Sequence, residues 1–181
     1  KKKVMKRTVH ASFDTEMCGQ RNWNFRGVDY ASNSSGPTML VSTEGASSGI
    51  LKWCLKIESG NKQFEVGVIP ASQAEENRYL HESCETGLKA TGTKGGDKLS
   101  QWDMYLKYVE VIADMNDRKA KFLVGDTREQ MIEVKSFDIP YEEDAKLAVT
   151  GWNNFNCRLE PPAMERAVDS EDEDDDEEEE D

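Results

Sequence analysis

The sequence lacks the features that mark membrane and secreted proteins. It contains no uninterrupted apolar run of about 18 residues, the length that a membrane-spanning helix requires. The basic start KKKVMKR is not followed by the apolar stretch of a secretory signal. The four cysteines are scattered without a CxxC pair, which favours free thiols in a reducing compartment over a disulfide framework. These absences predict an intracellular protein, nuclear or cytoplasmic, that has no membrane partner.

Residues with catalytic or metal-binding chemistry are also scarce. The only histidines are His10 and His81, and His81 with Cys84 supplies at most half of a zinc site, because no second pair follows at the required spacing. GLKATGTKGGDK lacks the Gly-Lys-Ser/Thr step of a phosphate-binding loop. DMNDRK lacks the central glycine and closing glutamate of a calcium loop. We therefore predict that the protein is not an enzyme and holds neither a metal nor a cofactor.

The negative charge is concentrated at one end of the chain. Of the 36 acidic residues, 12 lie in DSEDEDDDEEEED at 169–181, so 24 acids remain against 23 bases and the rest is nearly neutral. Like charges repel and the segment has no apolar side chains to bury, so we expect the tail 163–181 to be disordered. We expect no nucleic acid to bind through this tail, because both are anionic.

Two runs show the strict alternation of apolar and polar residues that is typical of half-buried strands. LKWCLKI at 51–57 places Trp53 on its apolar face, and QFEVGVI at 63–69 does the same with Phe64. The insert between them carries Gly60-Asn61, which adopt positive φ at low cost and so allow the chain to reverse. The stretch is therefore predicted to form a β-hairpin.

Two residues of this stretch have clear structural roles. Trp53 buries about 200 Å² of ring when it faces a core, which contributes several kcal/mol at about 25 cal/mol per Å². Gly67 lies between the inward-facing Val66 and Val68, so it points away from the core and leaves space for a close neighbour.

Short runs rich in β-branched and aromatic residues continue along the chain, with turn formers between them. The pattern predicts a second hairpin at IADM-NDR-KAKF, and a helical turn or two near 72–83 in place of any long helix. The polar segment Pro70 to Gln101 is predicted to form one or two long surface loops. Many short strands without a βαβ rhythm indicate an antiparallel sandwich or barrel. The further strand candidates are 8–13, 23–30, 38–42, 108–114, 119–125, 131–137, 146–152 and 156–160.

The order of these features resembles the SPRY family. SPRY domains show a Ser-Gly lead-in, a strand with a tryptophan, a turn, and a strand ending in Gly-Val. Later they carry a strand ending in aspartate, a tight turn and a strand with a phenylalanine, and then an apolar residue before a proline. The matching residues are Ser48-Gly49, Trp53, Gly60-Asn61, Gly67-Val68, Asp114, Phe122, Ile139-Pro140 and Leu147 to Val149.

The resemblance covers roughly residues 8–160 and implies an all-β, antiparallel two-sheet sandwich of the SPRY-like jelly-roll type. We expect a basic N-terminal arm at 1–7, the sandwich at 8–162 and the acidic tail at 163–181. The resemblance also implies a non-enzymatic protein-recognition module, of the kind often joined as an adaptor to ubiquitin ligases or other regulators. The expected ligand is a peptide or a partner's surface, held by loops at one end of the sandwich.

Aromatic residues beside turns are the best candidates for such a surface, because aromatic side chains dominate interface hot spots. Trp152 in GWNNFN is the preferred single candidate. The predicted partner-binding residues are Tyr79, Trp102, Trp152, Asn153, Asn154 and Phe155.

Two alternatives remain open from the sequence. The acidic tail is able to bind a basic protein, as a histone chaperone does, through salt-sensitive long-range attraction. It is equally able to act only as a solubilising segment, or to fold back on KKKVMKR. The second alternative is a carbohydrate-binding, lectin-like sandwich, since lectin jelly rolls share this architecture.

Overall fold

The computed structural model describes residues 7–33, 38–59, 63–76, 79–90, 99–102, 107–152 and 154–162. In this part of the chain, strands form two sheets that pack face to face. The basic arm up to residue 6, the turn Gly60-Asn61 and the tail 163–181 lie outside the described residues.

The larger sheet has eight strands, in the order β11-β10-β9-β5-β13-β3-β2, with β1 paired to β5. Its neighbours are antiparallel except for β1 and β5, which run parallel. The bounds are β1 Thr8–His10, β2 Trp23–Arg26, β3 Tyr30–Asn33, β5 Ile50–Ser59, β9 Tyr108–Asp114, β10 Lys119–Gly125, β11 Ile132–Asp138 and β13 Phe155–Leu159.

The smaller sheet has five strands, in the order β4-β12-β6-β7-β8. Only the pairing of β7 with β8 is parallel. Its strands are β4 Met39–Val41, β6 Phe64–Pro70, β7 Gly87–Ala90, β8 Ser100–Trp102 and β12 Ala145–Gly151. The predicted all-β, two-sheet sandwich is confirmed.

The core lies between the sheets and is rich in aromatic rings. Trp53 is 2% exposed and meets Phe13 edge-on at a centroid distance of 5.4 Å. Phe155 packs against Phe64 at 5.3 Å and against Trp23 at 6.3 Å. Edge-on and tilted ring pairs of this kind add stabilisation beyond the area that they bury.

The stretch 50–69 forms strands where the alternation predicts them, but the two strands do not form a hairpin. β5 pairs with β9, β13 and β1 in the larger sheet, whereas β6 pairs with β12 and β7 in the smaller one. The chain therefore crosses from one sheet to the other between Ser59 and Phe64. Alternation fixes which face of each strand is buried, and a hairpin and a crossing between facing sheets both satisfy it.

The second predicted hairpin is confirmed. β9 and β10 pair antiparallel from Asp114↔Lys119 to Tyr108↔Gly125. Asn116 connects this turn to the residue before β5. Its side-chain oxygen accepts a hydrogen bond of 3.0 Å from the Gly49 backbone N–H. The carboxylate of Asp114 accepts another, at 3.1 Å, from the backbone N–H of Asp117. The acidic and amide side chains of DMNDRK therefore serve a turn.

The prediction of long surface loops for Pro70 to Gln101 is wrong for part of the segment. β7 lies within it, and all four of its residues are buried between β6 and β8. Its sequence, GLKA, is too short to show periodicity, so only the pairing partners reveal it as a strand. The predicted helical turns do appear, as 3₁₀ turns at Ala71–Gln73 and Leu80–Glu82. Residues 91–98 of the glycine-rich stretch lie outside the description.

One short helix was not predicted. α1 is Thr15–Gly19, and Asp14 is its N-cap. The side chain of Asp14 accepts a hydrogen bond of 3.1 Å from the Met17 backbone N–H. Capping of this kind satisfies a donor that the first turn leaves unpaired. No helix among the described residues has the length and apolar character needed to span a bilayer.

Close approach of chains around Gly67 confirms the space predicted beside it. A Cβ at this position would lie 2.7 Å from the backbone oxygen of Thr86 and 3.1 Å from Leu80 Cδ2. Leu80 is fully buried in the 3₁₀ turn that covers the outer face of β6. Gly67 therefore allows the segment from Leu80 to Thr86 to pack on the smaller sheet.

Substitution of Gly67 tests this packing. We expect Gly67→Ala to lower the free energy of unfolding by about 1–3 kcal/mol, because the new methyl group meets a backbone oxygen that has no room to move. Urea unfolding followed by tryptophan fluorescence measures the change. Gly19→Ala is the control, since a Cβ there meets nothing within 4 Å; it should leave stability unchanged or raise it by about 0.5–1 kcal/mol. Equal effects of the two substitutions would contradict the prediction.

Candidate partner-binding surface

Three rings lie together on the outer side of the smaller sheet. The ring of Tyr79 is 5.6 Å from that of Trp152 and 5.2 Å from that of His81, measured between centroids. Tyr79 and Trp152 are partly exposed, whereas His81 is buried beside them. We call these three residues the aromatic patch.

The patch is held in place by the turn that carries two of its rings. Leu80, fully buried, donates its backbone N–H to the hydroxyl of Thr150 on β12 at 3.0 Å. Trp152 follows the end of β12, and its backbone N–H donates to the oxygen of Gln63 at 3.2 Å. The sheet therefore fixes the backbone on both sides of the patch.

Beneath the patch, a carboxylate is buried on the outer face of β6. Glu65 has no exposed surface, and its Oε2 lies 2.7 Å from Nδ1 of His81. Its other oxygen accepts a hydrogen bond of 3.2 Å from the backbone N–H of His81. A buried carboxyl group needs such partners, because its lost hydration costs several kcal/mol.

The electrostatics of Glu65 reflect two opposing effects. Burial raises the pKa of its carboxyl group above the ordinary value, and the hydrogen bond and charge of His81 oppose that rise. Lys89, which lies directly opposite Glu65 on β7, also lowers this pKa. The patch thus rests on a buried cluster of one acidic and two basic side chains.

Two of the buried cysteines are unsuited to thiolate chemistry. Burial raises the pKa of Cys18 to about 11 and that of Cys54 to about 12, so both thiols stay protonated near neutral pH. All four cysteines are free. The Sγ of Cys84 lies 3.9 Å from the oxygen of Thr86, and within the described ranges no group of His, Cys, Asp and Glu is arranged to hold a metal ion.

The structure separates the predicted partner-binding residues. Tyr79 and Trp152 come together in the patch. Trp102 lies on the edge strand β8, three strands from β12. At about 4.8 Å per strand the two strands are about 14 Å apart. The Nζ of Lys135 lies 5.9 Å from the centroid of the Trp102 ring. Asn154 is exposed with φ of 64°, and Asn153 lies outside the described residues.

Phe155 has no surface to offer a partner, because it is fully buried in the core. Its ring fills the space over Gly151, where a Cβ would lie 2.3 Å from its Cγ. The sequence places Phe155 beside a loop, but it is the first residue of β13 and its side chain points between the sheets. It is therefore removed from the candidate surface.

Sequence reasoning missed Glu65 and its pairing with His81. In QFEVGVI the glutamate occupies an outward position, which alternation assigns to solvent. The residues that cover it come from a 3₁₀ turn about 15 residues later, and their contact is a tertiary event. In the sequence, the large apolar residues on either side of this glutamate are a weak sign of its burial.

A separate cleft of about 610 Å³ lies on the outer face of the larger sheet, and none of the predicted residues lines it. Four of its charged side chains pair with each other, Lys52 with Glu110 at 4.0 Å and Arg128 with Glu160 at 3.6 Å, and Asp29 and Glu129 also line it.

The buried carboxyl group predicts a specific pH dependence of stability. In the unfolded chain Glu65 titrates near 4.5, and in the folded protein its pKa is higher. Between these values the folded state binds more protons, so the contribution of Glu65 to the free energy of unfolding falls as pH rises.

We therefore expect the stability of the wild type minus that of Glu65→Gln to decrease as pH increases above about 4.5, by at most about 1.4 kcal/mol per pH unit. Urea unfolding of both proteins from pH 4 to 8 measures this difference, in which the titrating groups that do not interact with Glu65 cancel. A difference independent of pH would contradict a raised pKa for Glu65.

Comparison with known proteins shows likeness in structure but not in sequence. No protein-family model matches the chain, and no curated protein matches it significantly. Two solved domains resemble it along nearly their whole length. The PSpry domain of TRIM65 covers 86% of this chain and 94% of its own, with a TM-score of 0.63 and 8% identity. The SPRY domain of human HERC1 covers 84% of this chain and 99% of its own, with a TM-score of 0.55 and 17% identity.

Stonustoxin gives a third match, with a TM-score of 0.62 and 15% identity over 84% of this chain but only 27% of its own. At these identities the likeness concerns the arrangement of strands. The order of sequence features around Trp53 predicted a SPRY-like fold. The described part of the chain has a SPRY-like fold.

Proposed function

We propose that this protein is a non-enzymatic recognition module that binds a peptide or a partner's surface through the aromatic patch. The observation that carries this proposal is the pair of partly exposed rings, Tyr79 and Trp152, 5.6 Å apart on a rigid base. Rigid aromatic side chains bury a large area on binding and lose little conformational entropy.

Several features of the patch suit it to binding. Tyrosine and tryptophan are enriched among interface hot spots, which cluster where surrounding contacts exclude water. The backbone of the patch is fixed to β6 and β12, so a ligand would not have to order it. Both rings combine an apolar body with a polar donor, which suits a partner that mixes apolar and hydrogen-bonding groups.

The remaining predicted residues take secondary roles in this proposal. Asn154 is exposed two residues after Trp152 and would lie at the rim of the bound ligand. Trp102 is at the far edge of the same sheet, and its ring is turned to the core side, because its neighbour Gln101 shares the outer face with Lys89 and Glu65; it would not contact a ligand of the patch. The similarity in fold to the SPRY domains of TRIM65 and HERC1 supports a recognition role, and a place in an intracellular ubiquitin-related assembly is part of the same proposal.

Peptide selection tests the proposal. The wild-type chain is used to select peptides from a random display library, and the affinity of each selected peptide is measured by fluorescence polarisation. We expect Tyr79→Ala and Trp152→Ala each to weaken binding by about 30-fold, which corresponds to the roughly 2 kcal/mol lost at a hot spot.

Ile132→Ala is the matched control, because Ile132 is a large apolar residue that is 63% exposed on β11, away from the patch. It should leave affinity unchanged. If the selected peptides keep their affinity for both patch variants, the proposed site is wrong.

A second candidate function rests on the 12 acidic side chains of 169–181. Under this alternative the tail binds basic proteins, and truncation after Pro162 abolishes that binding. The patch variants separate the two functions, because they should not alter attraction to a basic protein that is purely electrostatic.

A further inference from the structure

A continuous row of cationic and aromatic side chains crosses the outer face of the larger sheet. Adjacent strands place its members directly opposite one another: Arg26 beside Tyr30, Tyr30 beside Arg158, Arg158 beside Lys56, and Lys56 beside Tyr108. We call these five residues the basic row. Four strand spacings of about 4.8 Å give it a length of about 19 Å.

The side chains of the row point away from the core. Their chain neighbours Ala31, Leu55, Cys157 and Val109 are buried between the sheets, and alternation turns the row to the other face. Arg26 is exposed and the other four are partly exposed. The face is therefore accessible along the described part of the sheet.

Tyr30 organises the two arginines. The guanidinium carbon of Arg26 lies 4.8 Å from the centre of its ring and that of Arg158 lies 5.2 Å from it. Stacking on an aromatic face holds a guanidinium group in a defined orientation and leaves its N–H donors free at the edge. Such groups are suited to carboxylates, which they bind with paired hydrogen bonds.

The positive charge of the row is only partly neutralised. Glu58 pairs with Arg158 at 3.5 Å, and Asp29 lies in the turn beside Tyr30. Within the residues that the structure describes, neither Arg26 nor Lys56 takes part in an ion pair. The next row on one side consists of uncharged residues, Asn24, Ser32, Asn156 and Ser59. The row on the other side carries Glu110 and Glu160, which pair with Lys52 and Arg128.

We propose that the basic row binds the acidic segment 169–181 of the same chain. The described chain reaches Pro162 on this side of the molecule, since Glu160 donates its backbone N–H to the oxygen of Cys54 at 2.9 Å, two residues from Lys56 on β5. The 19 residues that follow Pro162 in the sequence span up to about 60 Å when extended, three times the length of the row. The length of the segment after Pro162 and its negative charge therefore both suit the basic row.

Attachment in the same chain makes this contact effective even though each charge pair is weak. A segment tethered by a short linker has an effective concentration in the millimolar range. Exposed pairs are screened by salt over about 8–10 Å, so the contact should be salt-sensitive. Its consequence is that an anionic partner has to displace the chain's own acidic segment to reach this face.

Amide NMR spectra of the full chain test the proposal. The wild type is compared with a full-length variant in which the 12 acidic residues of 169–181 are replaced by Asn or Gln. We expect the chemical-shift differences to cluster at the five residues of the basic row. Raising salt from about 0.05 to 0.5 M should move the same wild-type signals at least halfway towards those of the amide variant.

The matched controls remove positive charge on and off the row. In Arg26→Gln/Lys56→Gln the tail-dependent shifts should disappear, whereas in Lys119→Gln/Lys146→Gln, which also loses two cations, they should persist. Tenfold dilution should leave the shifts unchanged, because the contact lies within one chain. Shifts that are absent, that fall instead at residues 1–7, that survive in the row variant, or that change on dilution would each overturn the proposal.

Discussion

The packing of the inward faces of the two sheets against each other is the constraint on which the rest of the structure depends. The apolar face around Trp53 belongs to the larger sheet and the one around Phe64 belongs to the smaller sheet, so consecutive strands form opposite walls of the core. Burial of both faces provides much of the driving force for folding. Because only four residues connect β5 to β6, this connection also restricts how the two sheets are placed over each other.

Placement of the sheets gives their outer faces different roles. Segments between the strands cover the outer face of the smaller sheet, where Gly67 permits close approach and Leu80 anchors the 3₁₀ turn. A polar residue covered in this way, Glu65, needs partners, and His81 provides them. The exposed rings above this pair are thereby fixed, and a fixed aromatic surface is the property that recognition requires. The outer face of the larger sheet is more open and keeps polar and charged side chains.

The SPRY-like arrangement coexists with sequence identities of 8–17% to solved domains. Fold depends mainly on the pattern of buried positions, which tolerates many apolar substitutions. Function depends on a few surface side chains, and these are free to differ between domains of one fold. For this reason the patch and the basic row have to be argued from this chain's own residues.

The sequence by itself determined most of the strands, although not β3, β7 or β8, and it determined the turn after Asp114 and the all-β class, because side-chain alternation and turn residues act over a few positions. It also determined that Trp53 and Gly67 have structural roles. The tertiary structure decided which strands are neighbours: β5 and β6 lie in different sheets instead of side by side, and β7 lies buried in a stretch that looks like loop. It likewise decided that Phe155 is core while Tyr79 and Trp152 meet at the surface, and that Glu65 is covered by His81. These outcomes depend on contacts between residues far apart in the chain, and no local pattern specifies such contacts.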